Sequence, residues 1–126
     1  MEGYSVKIAE TSKELSAKEK IALKDISNAV SLDEATTTDN IVIDYAYHVI
    51  LNVHNEKSEN PDYTKIVVVD KNGTKYVTGS ESFKTALLDI VDEMEDAGEG
   101  DNITVEVYRK DSKNYKGKQF ITCSIV

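Results

Sequence analysis

The chain has 126 residues, of which 40% are hydrophobic and 30% charged, a globular mixture sized for one domain. One cysteine excludes an internal disulfide framework, and apolar runs as short as Val49–Leu51 and Ile66–Val69 exclude a helix that spans a bilayer. A net charge of −8 argues against a polyanionic partner only until its distribution is read: residues 81–101 carry −7 and residues 102–126 carry +3, and exposed charges more than about 8 Å apart are largely screened at physiological salt.

Tyr4–Ile8 reads as a short edge strand or a loose arm within residues 1–16. Lys18–Ile26 places Ile21 and Leu23 in period two, a strand pattern, and the Thr-rich stretch Ser31–Asn40 reads as a loop. From Ile41 to Val53 the odd positions are all apolar or aromatic, which predicts one long strand. Strands of that length usually coil, which suits a barrel. Tyr63–Asp70 is a further strand, and Asn72-Gly73 carries the signal of a type I′ turn that returns it through Thr74–Thr78.

Ser80 or Ser82 can cap a helix that runs to about Ala97 and stops at Gly98. Phe83, Ala86, Leu87, Ile90, Val91 and Met94 share one side of it, and Asp89, Asp92, Glu93, Glu95 and Asp96 cover the other as a solvated acidic face.

The last 25 residues alternate on two strands. Pairing them antiparallel around Asn114 sets Ile103 against Ile125, Val105 against Cys123 and Val107 against Ile121, and a one-residue slip destroys that agreement. The same register brings Tyr108 opposite Phe120 and Lys110 opposite Lys118, with Lys113, Tyr115 and Lys116 at the tip. Rings beside ammonium groups suit unpaired nucleic acid, whose bases stack while its phosphates meet the cations. The alternative is a solvated hairpin whose lysines guard a sheet edge.

Weaker candidates lie elsewhere. Tyr45 and Tyr47 sit on the apolar face of the long strand, open to a core or a stacking role; Lys75 and Tyr76 follow the hairpin turn and border a possible groove, and Tyr63 flanks Lys65. His48 and His54 are expected on the surface, and Cys123 is expected as an inert buried thiol. The sequence has no glycine-rich phosphate loop, serine elbow, acid/base pair or zinc spacing, so the expectation is a non-enzyme without cofactor or metal. The N-terminus does not resemble a signal peptide, which implies a cytoplasmic protein with no membrane partner.

The curved strand Ile41–Val53, the turn Asn72-Gly73-Thr74-Lys75-Tyr76, the helix Phe83–Met94 and the ending Val105-x-Val107 … Lys116-Gly117-x-x-Phe120 together resemble the small single-stranded-DNA-binding proteins of tailed phages that infect Gram-positive bacteria. The resemblance covers about Leu15 to Val126. It implies a mainly β protein with one helix: an OB-fold, a five-stranded partly open barrel with the helix between strands 3 and 4, forming a single domain over residues 1–126. It further implies sequence-tolerant coating of single-stranded DNA during phage replication or recombination, with replication or recombination proteins as further partners and homo-oligomers left open. The chain has no tryptophan and ends in the strand-like Cys123–Val126 rather than an acidic tail, departures that bear on tail-mediated recruitment and on tetrameric assembly. The competing reading is an acidic interaction module in which helix 81–97 imitates the phosphates of DNA.

Overall fold

The structure is a computed structural model that describes residues 4–57, 59–112 and 117–126. In chain order its elements are β1 (Tyr4–Thr11), α1 (Ala17–Lys24), β2 (Val30–Ser31), α2 (Leu32–Ala35), β3 (Ile41–Asn55), β4 (Asp62–Asp70), β5 (Lys75–Thr78), α3 (Glu81–Asp96), β6 (Thr104–Asp111) and β7 (Gln119–Ile125). The protein is mainly β, with more described strands and helices than the five and one expected. Among the described residues no helix is long and apolar enough to cross a membrane.

Two compact units share the chain: one takes the residues up to Val30 together with Tyr47–Gly79, the other Ser31–Ala46 with Ser80–Val126. β3, 15 residues long, contributes to both.

In the first unit β4 lies between β5 and the second half of β3, and β1 adds antiparallel to β3, from Tyr4 opposite Asn55 to Thr11 opposite Val49. A bulge between Ile8 and Glu10 absorbs one residue of β1. Tyr4–Ile8 is thus part of an edge strand rather than a loose arm. Leu15, Leu23, Val49, Leu51, Val53, Val67, Val69 and Val77 form a buried cluster here.

Lys18–Ile26, expected as a strand, is mostly helix α1. Ser16 and Glu19 close a reciprocal capping box, and the Lys13 ammonium lies 3.0 Å from the Glu19 carboxylate. These local bonds outweigh the period-two hint of Ile21 and Leu23: Leu23 is buried, whereas Ile21 stays exposed. Within Ser31–Asn40, expected as a loop, Ser31 caps the single turn of α2.

β4 and β5 pair from Val69 opposite Lys75 to Ile66 opposite Thr78. Their connection differs from the expected type I′ turn, which needs positive φ at both central residues. Asn72 has negative φ and only Gly73 is left-handed, at 88°. The Gly73 N–H donates to the Asp70 carbonyl, while the Asp70 carboxylate accepts from the N–H groups of Asn72 and Thr74. The loop is a three-residue hairpin whose side-chain bonds favour an ordinary turn followed by glycine.

In the second unit the first half of β3 pairs with β6, and β6 pairs with β7. Ser80 caps α3, whose Phe83, Leu87 and Val91 are buried. The helix ends in a Schellman motif: the Glu99 N–H donates to Met94 and the Gly98 N–H to Glu95, with Gly98 at φ 76°. The Ser82 hydroxyl donates to the Ile121 carbonyl at 2.8 Å, tying the start of α3 to β7.

Candidate nucleic-acid interface

The β6–β7 ladder puts Val105 opposite Ile125, Val107 opposite Cys123, Tyr108 opposite Thr122 and Lys110 opposite Phe120. This is two residues away from the expected register, in which Val105 faced Cys123, Tyr108 faced Phe120 and Lys110 faced Lys118. A shift of two preserves the face of every side chain. Val105, Val107, Ile121 and Cys123 are therefore buried as expected, and Tyr108, Lys110 and Phe120 share the outward face.

The shift has a physical reason. It separates two lysines that would have stood directly opposite each other, a destabilising arrangement. Lys110 instead crosses to Phe120, and Lys118 stands beside Ser112, whose N–H donates to the Lys118 carbonyl. Tyr108 and Phe120 become diagonal neighbours on one face, about 7–8 Å apart in such ladders. The Tyr108 hydroxyl shares a 2.8 Å hydrogen bond with the Ser124 hydroxyl, which lays the ring along the outward face.

Charge on this face is graded. Toward one end Thr104 donates to the Asp44 carboxylate and Asn40 to the Glu106 carboxylate. Toward the tip Lys110 and Lys118 are exposed, and none of the described ion pairs includes either. Partly exposed Phe120 stands across from Lys110 at the cationic end, whereas Tyr108 directs its hydroxyl to Ser124, which pairs with Glu106. Lys113, Tyr115 and Lys116, expected at the tip, lie outside the described residues.

The remaining candidates do not gather on this face. The Lys75 ammonium donates to the carbonyls of Ala22 and Asp25, each at 2.9 Å, so it caps the end of α1. Tyr76 is half-buried opposite Val68, and burial, with the Asp70 charge, pushes its phenol up. Tyr47 packs half-buried against the cluster of the first unit, with the Lys13 ammonium 4.3 Å from its ring centre. That cation–π contact leaves it poorly placed to stack on a base. Tyr45 is buried at 3% exposure, which resolves it as core. Tyr63 also packs against the first unit's cluster.

His48, expected on the surface, is buried at 6% exposure, and its backbone exchanges hydrogen bonds with Ser12. His54 is partly exposed and lies 2.7 Å from Asp62 and 3.6 Å from Glu56. The hydrogen bond to Asp62 raises its pKa above 6.5, against an opposing cost of desolvation. Cys123 is buried, and burial pushes its thiol up to about 12, a state without nucleophilic character near neutral pH. Among the described residues no group of three or more His, Cys, Asp or Glu could hold a metal ion.

One residue escaped the sequence reading. Arg109 continues the buried side of β6, where its guanidinium donates to the Thr36 hydroxyl at 3.2 Å and to the Asp33 carbonyl, fastening β6 to the end of α2. Its signal was parity: it falls in line with Val105 and Val107, a position where a cation needs a partner.

Comparison of the chain with family models, with curated proteins and with solved structures gave no match.

Proposed function

We propose that this protein binds single-stranded DNA with little sequence preference through the outward face of the β6–β7 hairpin, and acts as a non-enzymatic coat for unwound strands. One arrangement carries the reading: Tyr108 and Phe120 lie diagonally on one accessible face, and Lys110 stands across from Phe120. Stacking tolerates any base because every base has a flat face, and the lysines supply contacts to phosphate that are equally blind to sequence. Lys113, Tyr115 and Lys116 extend the same composition in the sequence. The order β3, β4, β5, α3, β6, β7, with β3 beside both β4 and β6, supports an OB-type arrangement with the helix between its third and fourth strands.

Titrating intrinsic tyrosine fluorescence with oligo-dT at low and high salt tests the reading. Stacking should quench the emission, and three to five phosphates neutralised at the hairpin should contribute about −2 to −3.5 to the log–log salt slope. Absence of quenching at any salt would sink it. The acidic-module reading draws on exposed Asp89, Asp92, Glu93, Glu95 and Asp96, none of which enters a described ion pair. Nuclease-resistant capture of a DNA-processing enzyme, without affinity for oligo-dT, would favour that reading instead.

A further inference from the structure

A groove of about 480 Å³ runs between β1 and α1 in the first unit, lined by Lys7, Lys20 and Lys24. All three lysines are exposed, and none of the described ion pairs includes one of them. Glu10 is the groove's single carboxylate. Exposed Lys7 alternates with Val6 and Ile8, which pack against the core cluster, and it lines both this groove and a neighbouring pocket with Ser5, Asn52 and His54.

The helix that carries the other two cations contributes little to the core, because Leu23 is its one buried residue. Lys20 and Lys24 stand four apart on it, a like-charge spacing that costs an isolated helix a few tenths of a kcal/mol. The Lys75 ammonium adds a further positive charge at the carbonyl end of α1. Lys7, Lys18, Lys20, Lys24 and Lys75 thus stand on or beside one short helix, against the carboxylates of Glu10, Glu19 and Asp25, in a chain of net charge −8.

From these observations we infer that the β1–α1 groove is a second contact zone for nucleic acid, a track for the phosphodiester backbone of a single strand. The inference rests on the single-strand reading proposed above but uses a different unit and different residues. Lysines are compact point charges that suit phosphate without demanding a fixed geometry. No aromatic ring lines the groove, so it offers neither a platform for bases nor the aromatic anchor that protein interfaces favour. The track is therefore expected to add affinity and salt dependence without adding sequence preference. A protein occupant, such as the acidic face of α3 from a second copy, is the competing possibility.

The test is the full chain carrying K7Q, K20Q and K24Q together, with its melting temperature checked against wild type because all three side chains are exposed. Losing three phosphate contacts should make the salt slope shallower by about 2. The loss of affinity should then be largest at 50 mM salt and shrink by about 200 mM, while the fluorescence quench at saturation stays unchanged. In wild type, oligo-dT should protect Lys7, Lys20 and Lys24 from acetylation. An unchanged slope with unprotected lysines overturns the groove and leaves the hairpin reading standing. Self-association without nucleic acid that the triple variant abolishes overturns it in favour of a second copy. A wild type that does not bind oligo-dT removes the hairpin reading and the groove together.

Discussion

The central part of the first unit's sheet, His48–Leu51 of β3 and Ile66–Asp70 of β4, is covered on both sides, whereas the β6–β7 hairpin is covered on one. In the first, neighbouring residues of opposite parity are equally hidden: Val67 and Val68 are both 0% exposed, and Ile50 is nearly as buried as Leu51. In the second, buried Val105 and Val107 alternate with partly exposed Glu106 and Tyr108. A stretch covered twice presents no side chain to a ligand, and its residues act through stability. A strand covered once separates the two roles, so the hairpin can change its outer face without disturbing the core. Tyr45 and Tyr108 illustrate the difference, since the same residue type is core in one setting and surface in the other.

The largest effect tests the covered region. Leu51 is fully buried within the first unit's cluster, and Leu51→Ala should cost about 2–5 kcal/mol in denaturant unfolding. A cost below 1 kcal/mol would mean that this face is not packed as described.

Next in size is the exposed face. Replacing Tyr108 and Phe120 together with Ala should weaken oligo-dT binding by about 1–3 kcal/mol per ring, similarly for different sequences. Their partial exposure, and the single hydroxyl bond of Tyr108, imply a smaller loss of stability than Leu51→Ala gives. Wild-type affinity in the double variant would break the division of roles between the two regions.

How much of this was legible in the sequence follows the range of the forces involved. The faces of β6 and β7 are local: alternation alone places Val105, Val107 and Cys123 inside and Tyr108 and Phe120 outside. The register between them is not local, because every even shift satisfies the same alternation, and among these shifts only the repulsion of Lys110 and Lys118 argues against pairing them directly. Helix α1 was hidden by two apolar residues at period two, although Ser16-x-x-Glu19 already spelled its capping box. The run Val49-Ile50-Leu51 pointed to a strand covered on both faces, and reading it so would have moved His48 inward. The bonds of Lys75 to the end of α1 and of Arg109 to α2 span 50 residues or more and leave no nearby pattern to read.

The smallest effect lies at the open rim of the covered sheet, where β3 leads toward β4. Asp62 and Glu56 raise the pKa of His54 above 6.5, chiefly through the hydrogen bond that the ring donates to the Asp62 carboxylate. A pKa raised by folding contributes stability that is fully present below the unfolded value and is lost as pH rises through the folded one. His54 should therefore titrate above 6.5 by NMR, and stability should fall slightly as pH climbs from about 6 to 8. Since the ring is exposed and the ion pair is screened by water, the decline should be small, and His54→Gln should remove it. A midpoint at or below 6.5 would show that water competes successfully for both carboxylates, leaving the rim of this sheet without any pH-dependent contribution to folding.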